Sequence, residues 1–229
     1  VPVCLPFSVV YEDEDLLVID KPAGLPVHPS INHYENTLAN GIMWRCREKG
    51  EYFPFRCVNR LDAGTTGLLI IAKNMFSAAV LYSAMKERKI KRTYLAVASG
   101  EIREPGTVDL PIGRVSDSVI ERCIDPEHGE RAVTHYEPLA YGNGCTLLKL
   151  QLETGRTHQI RVHMKAIGHP LAGDYLYAPE DCSADRPLLH SRSLAFTHPV
   201  TQEPMKLTAE LPEDMKNYAE WKRREEDEI

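Results

Sequence analysis

A run of small and apolar residues at 67–72 (GLLIIA) constrains the fold of this chain more than any other stretch. The run is short and bounded by polar residues, so it predicts a buried strand. The stretch at 75–89 predicts a helix capped by Asn74, and residues 91–98 predict a return to a strand. This order leaves residues 58–66 as a loop in front of a buried strand, a position where functional groups are often displayed.

The rest of the chain is predicted to be rich in short strands. Alternating patterns predict strands at 7–11, 16–20, 107–112, 131–140, 145–152, 188–196 and 205–211, and further helices at 36–49, 158–167 and from about 213. In the helix at 158–167, the apolar residues fall on one stripe, whereas His158, Arg161 and Lys165 share a neighbouring face. These elements predict the α+β class, with a mixed, largely antiparallel central sheet flanked by helices and loops and an active-site cleft along the sheet.

Composition excludes several classes of protein. The chain has 229 residues, enough for a substantial core, and its six cysteines show no CxxC spacing, so neither a zinc site nor a disulfide framework is predicted. His158 and His163 are five residues apart, which does not fit a helical metal pair. Because there is no apolar run near 18 residues and no signal-peptide pattern, we expect a reduced, cytoplasmic protein.

The formal net charge is -6, but its sign is unevenly distributed along the chain. Residues 56–103 carry nine basic side chains against three acidic ones, whereas residues 1–55 carry four against eight. Because local charge attracts a polyanion, a face that binds phosphates is compatible with the acidic total. A solvated helix face is an equally good interpretation of residues 86–92 taken alone.

Four stretches carry polar residues in patterns that suggest chemistry: KPAGLPVHP (21–29), RLDAGTTGLLIIAK (60–73), KRTYLAV (91–97) and ETGRTHQIRVHMKAIGHPLAGD (153–174). Taken alone, each stretch also has an ordinary structural interpretation. Asp62, which precedes Ala-Gly, can accept hydrogen bonds from its own turn, and Tyr94 can be a cross-strand partner within a sheet.

Together the four stretches resemble the RluA-type pseudouridine synthase family over residues 9–212. The central motif of that family is His-Arg-Leu-Asp, two variable residues, Thr-Ser-Gly-Leu-Leu and a later Ala-Lys, and it stands here as NRLDAGTTGLL at 59–69 with AK at 72–73. The other three stretches agree with the family as well. Asn59 replaces the usual histidine and Thr66 the usual serine. Both changes keep a hydrogen-bonding side chain, so we expect the activity to be tuned rather than lost.

The resemblance implies an enzyme that isomerises uridine within RNA to pseudouridine and needs no cofactor. The N-glycosidic bond is cut, the uracil turns over without leaving, and its C5 atom joins the sugar. Asp62 would be the nucleophile or charge stabiliser, because a carboxylate with an ordinary pKa of about 3.9 is ionised at neutral pH. Glycosidases pair two carboxylates, whereas the matched loop supplies one.

The resemblance also implies roles for residues outside that loop. Arg161 would pair with Asp62 and keep it charged, and Tyr94 would stack on the uracil. Arg60 would occupy the gap left by the flipped nucleotide. Phosphates would be held by Lys91, Arg92, Arg156 and His158, and the floor of the pocket would be shaped by Leu171 with the Gly173-Asp174 turn.

From these observations we expect a monomer that acts on ribosomal or transfer RNA, with no metal and no membrane partner. We expect one catalytic domain over residues 1–229, without the S4 module that many relatives carry, and a frayed tail at 222–229. Two alternatives stay open: an inactive RNA-binding protein that acts as an RNA-folding chaperone on the same fold, and a glycosidase or nucleoside hydrolase. The presence of Asp62, Tyr94 and Arg161 favours the synthase, and the lack of a second acid disfavours the hydrolase.

Overall fold

The computed structural model describes residues 1–29, 34–181 and 183–219, the last three of these by their backbone alone. The described elements, in chain order, are β1 (Ser8–Glu12), β2 (Leu16–Lys21), α1 (Leu38–Lys49), β3 (Arg56–Cys57), β4 (Thr66–Ala72), α2 (Met75–Lys86), β5 (Lys91–Ser99), β6 (Gly106–Asp109), β7 (Ile112–Arg114), β8 (Arg122–Ile124), β9 (Val133–Gly142), β10 (Cys145–Leu152), α3 (Gln159–Ala166), β11 (Leu189–Thr197), β12 (Pro204–Thr208) and α4 (Glu213–Ala219). Cys182 and the tail at 222–229 lie outside the described residues. None of the helices in the described ranges has the length and apolar character that crossing a membrane requires.

The chain divides into two compact units, each made of two separate segments. Unit 1 consists of Val1–Arg92 and Ser191–Glu210, and unit 2 consists of Thr93–His190 and Leu211–Ile229. The prediction of one catalytic domain over residues 1–229 stays a prediction.

Unit 1 is built on antiparallel strands. β2 pairs with β1 on one side and with β4 on the other, β3 also pairs with β4, and β12 pairs with β11. Helix α2 packs its buried residues against this sheet, in a core that includes Leu16, Ile70, Leu81 and Phe196. Every residue of β4 is buried, as its apolar sequence predicts for a strand covered on both faces.

Gly67, the glycine of the TTGLL motif, lies where two backbones approach closely. Its φ is +105°, and a Cβ atom added there would be 2.3 Å from the carbonyl oxygen of Ser191. No L-residue with a side chain fits this position without moving β4 or the chain at Ser191. The glycine therefore fixes how β4 begins, directly after the loop that carries Asp62.

Unit 2 contains a second set of antiparallel strands in the order β5-β10-β9-β6, with β7 and β8 forming a separate pair. One core cluster includes Val97, Leu147, Leu188 and Met215. Helix α3 contributes Val162 to a second cluster, in which it packs with Ile112 and Tyr177 and with others.

The predicted α+β class with a largely antiparallel sheet is confirmed. One predicted strand is wrong: residues 107–112 form β6, which ends at Asp109, and β7, which begins at Ile112. Pro111 lies between them and has no N–H group for a continuous ladder. The helix predicted at 75–89 ends at Lys86, and the one predicted at 158–167 begins at Gln159, because Arg88 and His158 both have left-handed backbone angles.

Candidate active site

Asp62 lies in unit 1, in the loop between β3 and β4, and is partly exposed. In this loop the Thr65 N–H donates a hydrogen bond to the Asp62 carbonyl oxygen at 3.0 Å. The next carbonyl, that of Ala63, accepts a bond from the Gly24 N–H at 2.9 Å. The backbone on the carboxyl side of Asp62 is therefore fixed, while the residue itself stays accessible to solvent.

Lys21 supports this loop from the protein interior and was not among the residues predicted for the site. It is completely buried, and its Nζ donates to the carbonyl oxygens of Pro22 at 2.9 Å, Leu25 at 2.8 Å and Ala63 at 3.0 Å. An ammonium group has three donors, and here three main-chain acceptors surround it. Lys21 thus joins the KPAGLPVHP stretch to the Asp62 loop. The sequence feature that could have indicated this role is a lysine at the end of an apolar strand, directly before Pro-Ala-Gly.

Asn59, which replaces the usual histidine of the motif, holds the other side of the loop. Its Oδ1 accepts from the Ile70 N–H at 2.9 Å, and its Nδ2 donates to the Leu68 carbonyl at 3.2 Å. The side chain is buried, so these two bonds to β4 satisfy polar atoms that would otherwise be costly. The replacement therefore keeps a residue that can both donate and accept at this place.

Arg60 is exposed. Burial, and to a lesser extent the positive charge of Arg60, lower the pKa of His28 below its ordinary value of 6.5. The ring of His28 also meets the ring of Phe55 edge-on, with 5.1 Å between their centres.

In unit 2, Arg161 is buried on α3 rather than exposed on a helix face. Its Nε and Nη2 donate to the two carboxylate oxygens of Asp174 at 2.8 and 2.7 Å, and both side chains are at most 2% exposed. Asp174 Oδ1 also accepts from the N–H groups of Leu176 and Tyr177 at 3.1 and 3.2 Å. This two-bonded pair fixes the plane of the guanidinium. Asp174 was predicted only as part of a turn, so its contact with Arg161 was not expected.

Two tyrosines adjoin the same guanidinium. The Arg161 Cζ atom is 5.0 Å from the ring centre of Tyr177 and 5.6 Å from that of Tyr175. Tyr177 is buried, and Tyr175 is 64% exposed. Rings at this distance attract a cation through their faces. Neither tyrosine was singled out from the sequence, because their contact with α3 depends on the turn at Asp174.

His158 is the residue before α3 and has a φ of 56°, so it does not share a helix face with Arg161. Its Nδ1 lies 2.8 Å from the hydroxyl oxygen of Tyr177, and that oxygen accepts a bond from the Arg122 N–H at 3.0 Å. His158 is partly exposed. Its orientation is therefore set by Tyr177 rather than by helix geometry.

The remaining predicted site residues differ in accessibility. Tyr94 on β5 is 4% exposed and lies opposite Leu150, and Leu171 is completely buried. Arg156 is exposed, is paired with Glu130 and donates from Nε to the Arg131 carbonyl at 3.1 Å. Lys91 is exposed and Arg92 is partly buried.

The predicted set divides between the units. Unit 1 holds Arg60, Asp62, Lys91 and Arg92, and unit 2 holds Tyr94, Arg156, His158, Arg161 and Leu171. The pairing of Asp62 with Arg161 and the stacking of uracil on Tyr94 stay predictions. Unit 2 also has an open groove of about 470 Å³, lined by residues such as Thr107, His135, Tyr136 and Lys149, which are not among the predicted site residues.

One group of side chains in unit 1 has the composition of a metal site. Ligand atoms of Asp13, Asp15 and His198 lie within 4.8 Å of one another. However, the Asp13 carboxylate already accepts bonds from the Tyr11 hydroxyl at 2.6 Å and the Leu16 N–H at 2.7 Å, and it lies 2.9 Å from His198 Nε2. Hydrogen bonding accounts for this cluster, which joins the β1–β2 turn to the end of β11.

Comparisons with known proteins agree with this arrangement of motifs. The family model described as RNA pseudouridylate synthase matches residues 15–166. The RNA pseudouridine synthase YjbO of Bacillus subtilis is 45% identical over 92% of this chain and 75% of its own length. The ribosomal large subunit pseudouridine synthase D of Vibrio vulnificus is 40% identical over 96% of this chain and 72% of its own length. The solved structure of human RNA pseudouridylate synthase domain containing 1 superimposes with a TM-score of 0.76 and 29% identity, covering 95% of this chain and 89% of that one.

The fold and the motifs together define an isomerase of the class that makes pseudouridine in RNA. The chain belongs to the RNA pseudouridylate synthase family, and its predicted membership of the RluA type is confirmed. Neither the chaperone nor the hydrolase alternative is supported by these comparisons.

Proposed function

We propose that this synthase modifies RNA of the large ribosomal subunit, as a monomeric catalytic domain in the cytoplasm. Several similar proteins, among them the relative from Vibrio vulnificus, are named as ribosomal large subunit synthases. Another, from Haemophilus influenzae, is 40% identical over 92% of this chain and carries the same name. This repeated likeness favours ribosomal over transfer RNA as the substrate.

In this proposal Asp62 is the group that attacks the nucleoside or stabilises its positive charge. The observation that carries the proposal is the support of the Asp62 loop: a fully buried Lys21 and the Gly24 N–H both bind the carbonyl next to Asp62, while Asp62 itself is partly exposed. A rigid backbone under an accessible carboxylate provides the positioning that nucleophilic catalysis requires. Because the uracil is recaptured at C5, the leaving group needs no second carboxylic acid to protonate it.

Other residues would bind and orient the flipped nucleotide. Tyr94 would offer its ring to the uracil, and the fixed guanidinium of Arg161 would supply positive charge to the reacting groups. Arg60, which is exposed, would occupy the space that the nucleotide leaves in the RNA. Four residues would hold phosphates around this place: Lys91, Arg92, Arg156 and His158. Leu171 would close the floor of the pocket from the buried side.

The test of the catalytic assignment is Asp62→Asn, which removes the charge and keeps the shape. We expect pseudouridine formation to fall by roughly a thousandfold or more, because no other group in this loop can take over the role. Affinity for RNA, measured by filter binding, should stay within about threefold, since phosphate contacts supply most of it. Glu14→Gln, at an exposed position of unit 1, makes the same change of charge and should keep full activity. An Asp62→Asn enzyme with activity within tenfold of the wild type would refute the role.

The test of the substrate assignment is to map pseudouridines in the RNA of cells with and without this protein. We expect one or more positions in the large-subunit RNA to revert to uridine when the protein is removed. Restoring the wild-type protein should restore them, and restoring the Asp62→Asn variant should not. Loss of pseudouridine from transfer RNA, with the large-subunit RNA unchanged, would overturn the choice of substrate and leave the reaction class intact.

A further inference from the structure

Helix α2 in unit 1 has one face in the core and an opposite face that carries large exposed side chains. Ser77, Ala78 and Leu81 are buried, whereas Met75 is 74% exposed and Tyr82 is 46% exposed. Met75, Tyr82 and Lys86 follow one another at spacings of seven and four residues, so they lie on one line along the helix. This line therefore carries two large, mainly apolar side chains and ends with a basic residue in the last turn of the helix.

The helix ends in an unusual turn. The Lys89 N–H donates to the Ala84 carbonyl at 2.8 Å and the Arg88 N–H donates to the Met85 carbonyl at 3.1 Å, the bond pattern of a Schellman cap. In this motif the residue with left-handed backbone angles is commonly glycine, but here it is Arg88, with a φ of 59°. A left-handed conformation is unfavourable for an arginine, yet this turn contains one. Such a position points to a function for the side chain.

The turn also concentrates positive charge. Lys86, Arg88 and Lys89 are all exposed, against a single acid, Glu87, which is paired with Lys89 at 2.6 Å. The helix dipole stabilises a positive charge at the C-terminal end of a helix, which accounts for Lys86.

We propose that Met75, Tyr82, Lys86, Arg88 and Lys89, together the α2 surface, bind a single-stranded segment of the RNA substrate away from the reacting uridine. The proposal rests on the proposed function for the choice of RNA as substrate. A base stacks on the exposed ring of Tyr82, and the following phosphates lie against the three basic side chains of the turn. Basic residues beside an exposed aromatic ring are the combination by which proteins bind single strands without reading their sequence.

The charge side of the proposal is tested with Arg88→Gly. The probe is a 20-nucleotide RNA of adenosine and cytidine only, which cannot occupy a uridine pocket, measured by fluorescence anisotropy at several salt concentrations. We expect the affinity for the probe to fall about fivefold or more. The slope of log affinity against log salt concentration should become shallower by close to one, as for the loss of one phosphate contact. The melting temperature should be equal or higher, because glycine suits the left-handed angle. Arg103→Gln, at an exposed residue of unit 2, makes the same change of charge and should leave affinity within twofold.

The stacking side is tested at Tyr82. The hydroxyl group donates to the Cys57 carbonyl at 3.1 Å, so Tyr82→Phe removes this bond and keeps the ring, whereas Tyr82→Ala removes both. We expect Tyr82→Phe to bind the RNA like the wild type and Tyr82→Ala to bind it at least fivefold more weakly, with an unchanged salt slope. Tyr141→Ala, at a tyrosine of unit 2 that is 39% exposed, is the matched control.

The outcomes separate this inference from the proposed function. If Arg88→Gly and Tyr82→Ala bind the probe as tightly as their controls, the α2 surface is not an RNA site, whatever the enzyme does to uridine. The same result together with weaker capture of an acidic protein would assign the surface to a protein partner and equally overturn the inference. If both variants bind the probe more weakly while Asp62→Asn binds it as tightly as the wild type, the inference is supported. This holds even if the large-subunit RNA is not the substrate.

Discussion

Asp62 and Arg161, the two charged residues at the centre of the proposed chemistry, are held in opposite ways. Asp62 lies in a loop of unit 1. The buried Lys21 fixes the backbone of this loop through a hydrogen bond to the Ala63 carbonyl. Arg161 lies on a helix of unit 2, where a buried carboxylate holds its side chain directly. In the first case the protein positions the backbone and leaves the carboxylate accessible, and in the second it immobilises the charged group itself.

The difference suits the chemistry proposed for each residue. A nucleophile must first bond to a carbon atom and later separate from it. Its side chain therefore benefits from some rotational freedom on a fixed backbone. A group that stabilises charge works best when it is oriented before the reaction starts. Under this proposal Lys21 and Asp174 act as positioning residues, and their removal should damage the enzyme differently.

The largest effect is expected from Asp174→Asn. This change leaves the buried Arg161 without its negative partner, which typically costs about 3 to 5 kcal/mol of unfolding free energy. Denaturant unfolding measures this loss, and the activity of the folded fraction should fall with it. Glu137→Gln is the control, because Glu137 accepts from Lys149 Nζ at 2.8 Å while both side chains are exposed, at 54% and 39%. Its loss should cost about 1 kcal/mol. Equal losses for the two variants would show that burial of the Arg161 pair does not matter.

Lys21→Met should give the next largest effect. Removing the ammonium takes a donor from three main-chain carbonyls and leaves that of Ala63 with the Gly24 N–H, at a cost of about 2 kcal/mol. Because one of these carbonyls belongs to Ala63, kcat should also fall, by about tenfold or more. Lys73→Met is the matched control: the Lys73 Nζ donates to the Asp13 carbonyl at 2.8 Å, away from the Asp62 loop. It should lower stability and keep kcat. A Lys21→Met enzyme with normal kcat would remove Lys21 from the positioning role.

The pH dependence of stability should differ between the units. Burial lowers the pKa of His163 in unit 2 below its ordinary 6.5, and hydrogen bonding by Arg45 lowers the pKa of Glu12 in unit 1 from 4.5 to about 2. In both cases the unfolded chain binds the proton first, so stability falls as pH falls. Protonation of His163 should lower the stability of unit 2 as the pH drops below 6.5, and protonation of Glu12 should lower that of unit 1 between pH 4.5 and about 2, in addition to the contribution of His28 to unit 1 below pH 6.5.

Hydrogen exchange followed separately in α3 and α1 measures these losses. His163→Gln should remove the loss below pH 6.5 in unit 2, and Glu12→Gln should remove the loss between pH 4.5 and about 2 in unit 1. The assignment fails if either loss persists in its variant.

Arg60→Ala should give the smallest effect on stability, because Arg60 is exposed. We expect the KM for a folded RNA to rise about three- to tenfold, while the KM for an unstructured oligonucleotide changes little, since no base then has to be flipped out of a stack. An equal rise for both substrates would indicate a simple phosphate contact instead.

Local patterns were sufficient to predict much of this structure. The apolar run at 67–72 gives β4, and Asn74 caps α2 by accepting from the Ser77 N–H at 2.8 Å. Gly50 ends α1 in the left-handed conformation, as expected for its position. Each of these features depends on residues a few positions apart, and such information is present in the sequence itself.

The supports of the candidate site depend on contacts that a local pattern does not contain. Lys21 and Ala63 are 42 residues apart, and Arg161 and Asp174 are 13 apart across a turn. The break between β6 and β7 at Pro111 and the position of His158 before α3 were likewise missed. Their geometry follows from how neighbouring strands and turns pack, which spacing alone does not specify.

The return of residues 191–210 to unit 1 has a consequence for synthesis on the ribosome. β4 and β11 are neighbours within unit 1, but about a hundred residues of unit 2 are translated between the two segments of unit 1. At about 5 to 20 residues per second, the first segment waits roughly 5 to 20 s for its last strands. During that interval the apolar edge of β4 has no β11 beside it, so nascent chains paused in this window should be the ones that chaperones hold.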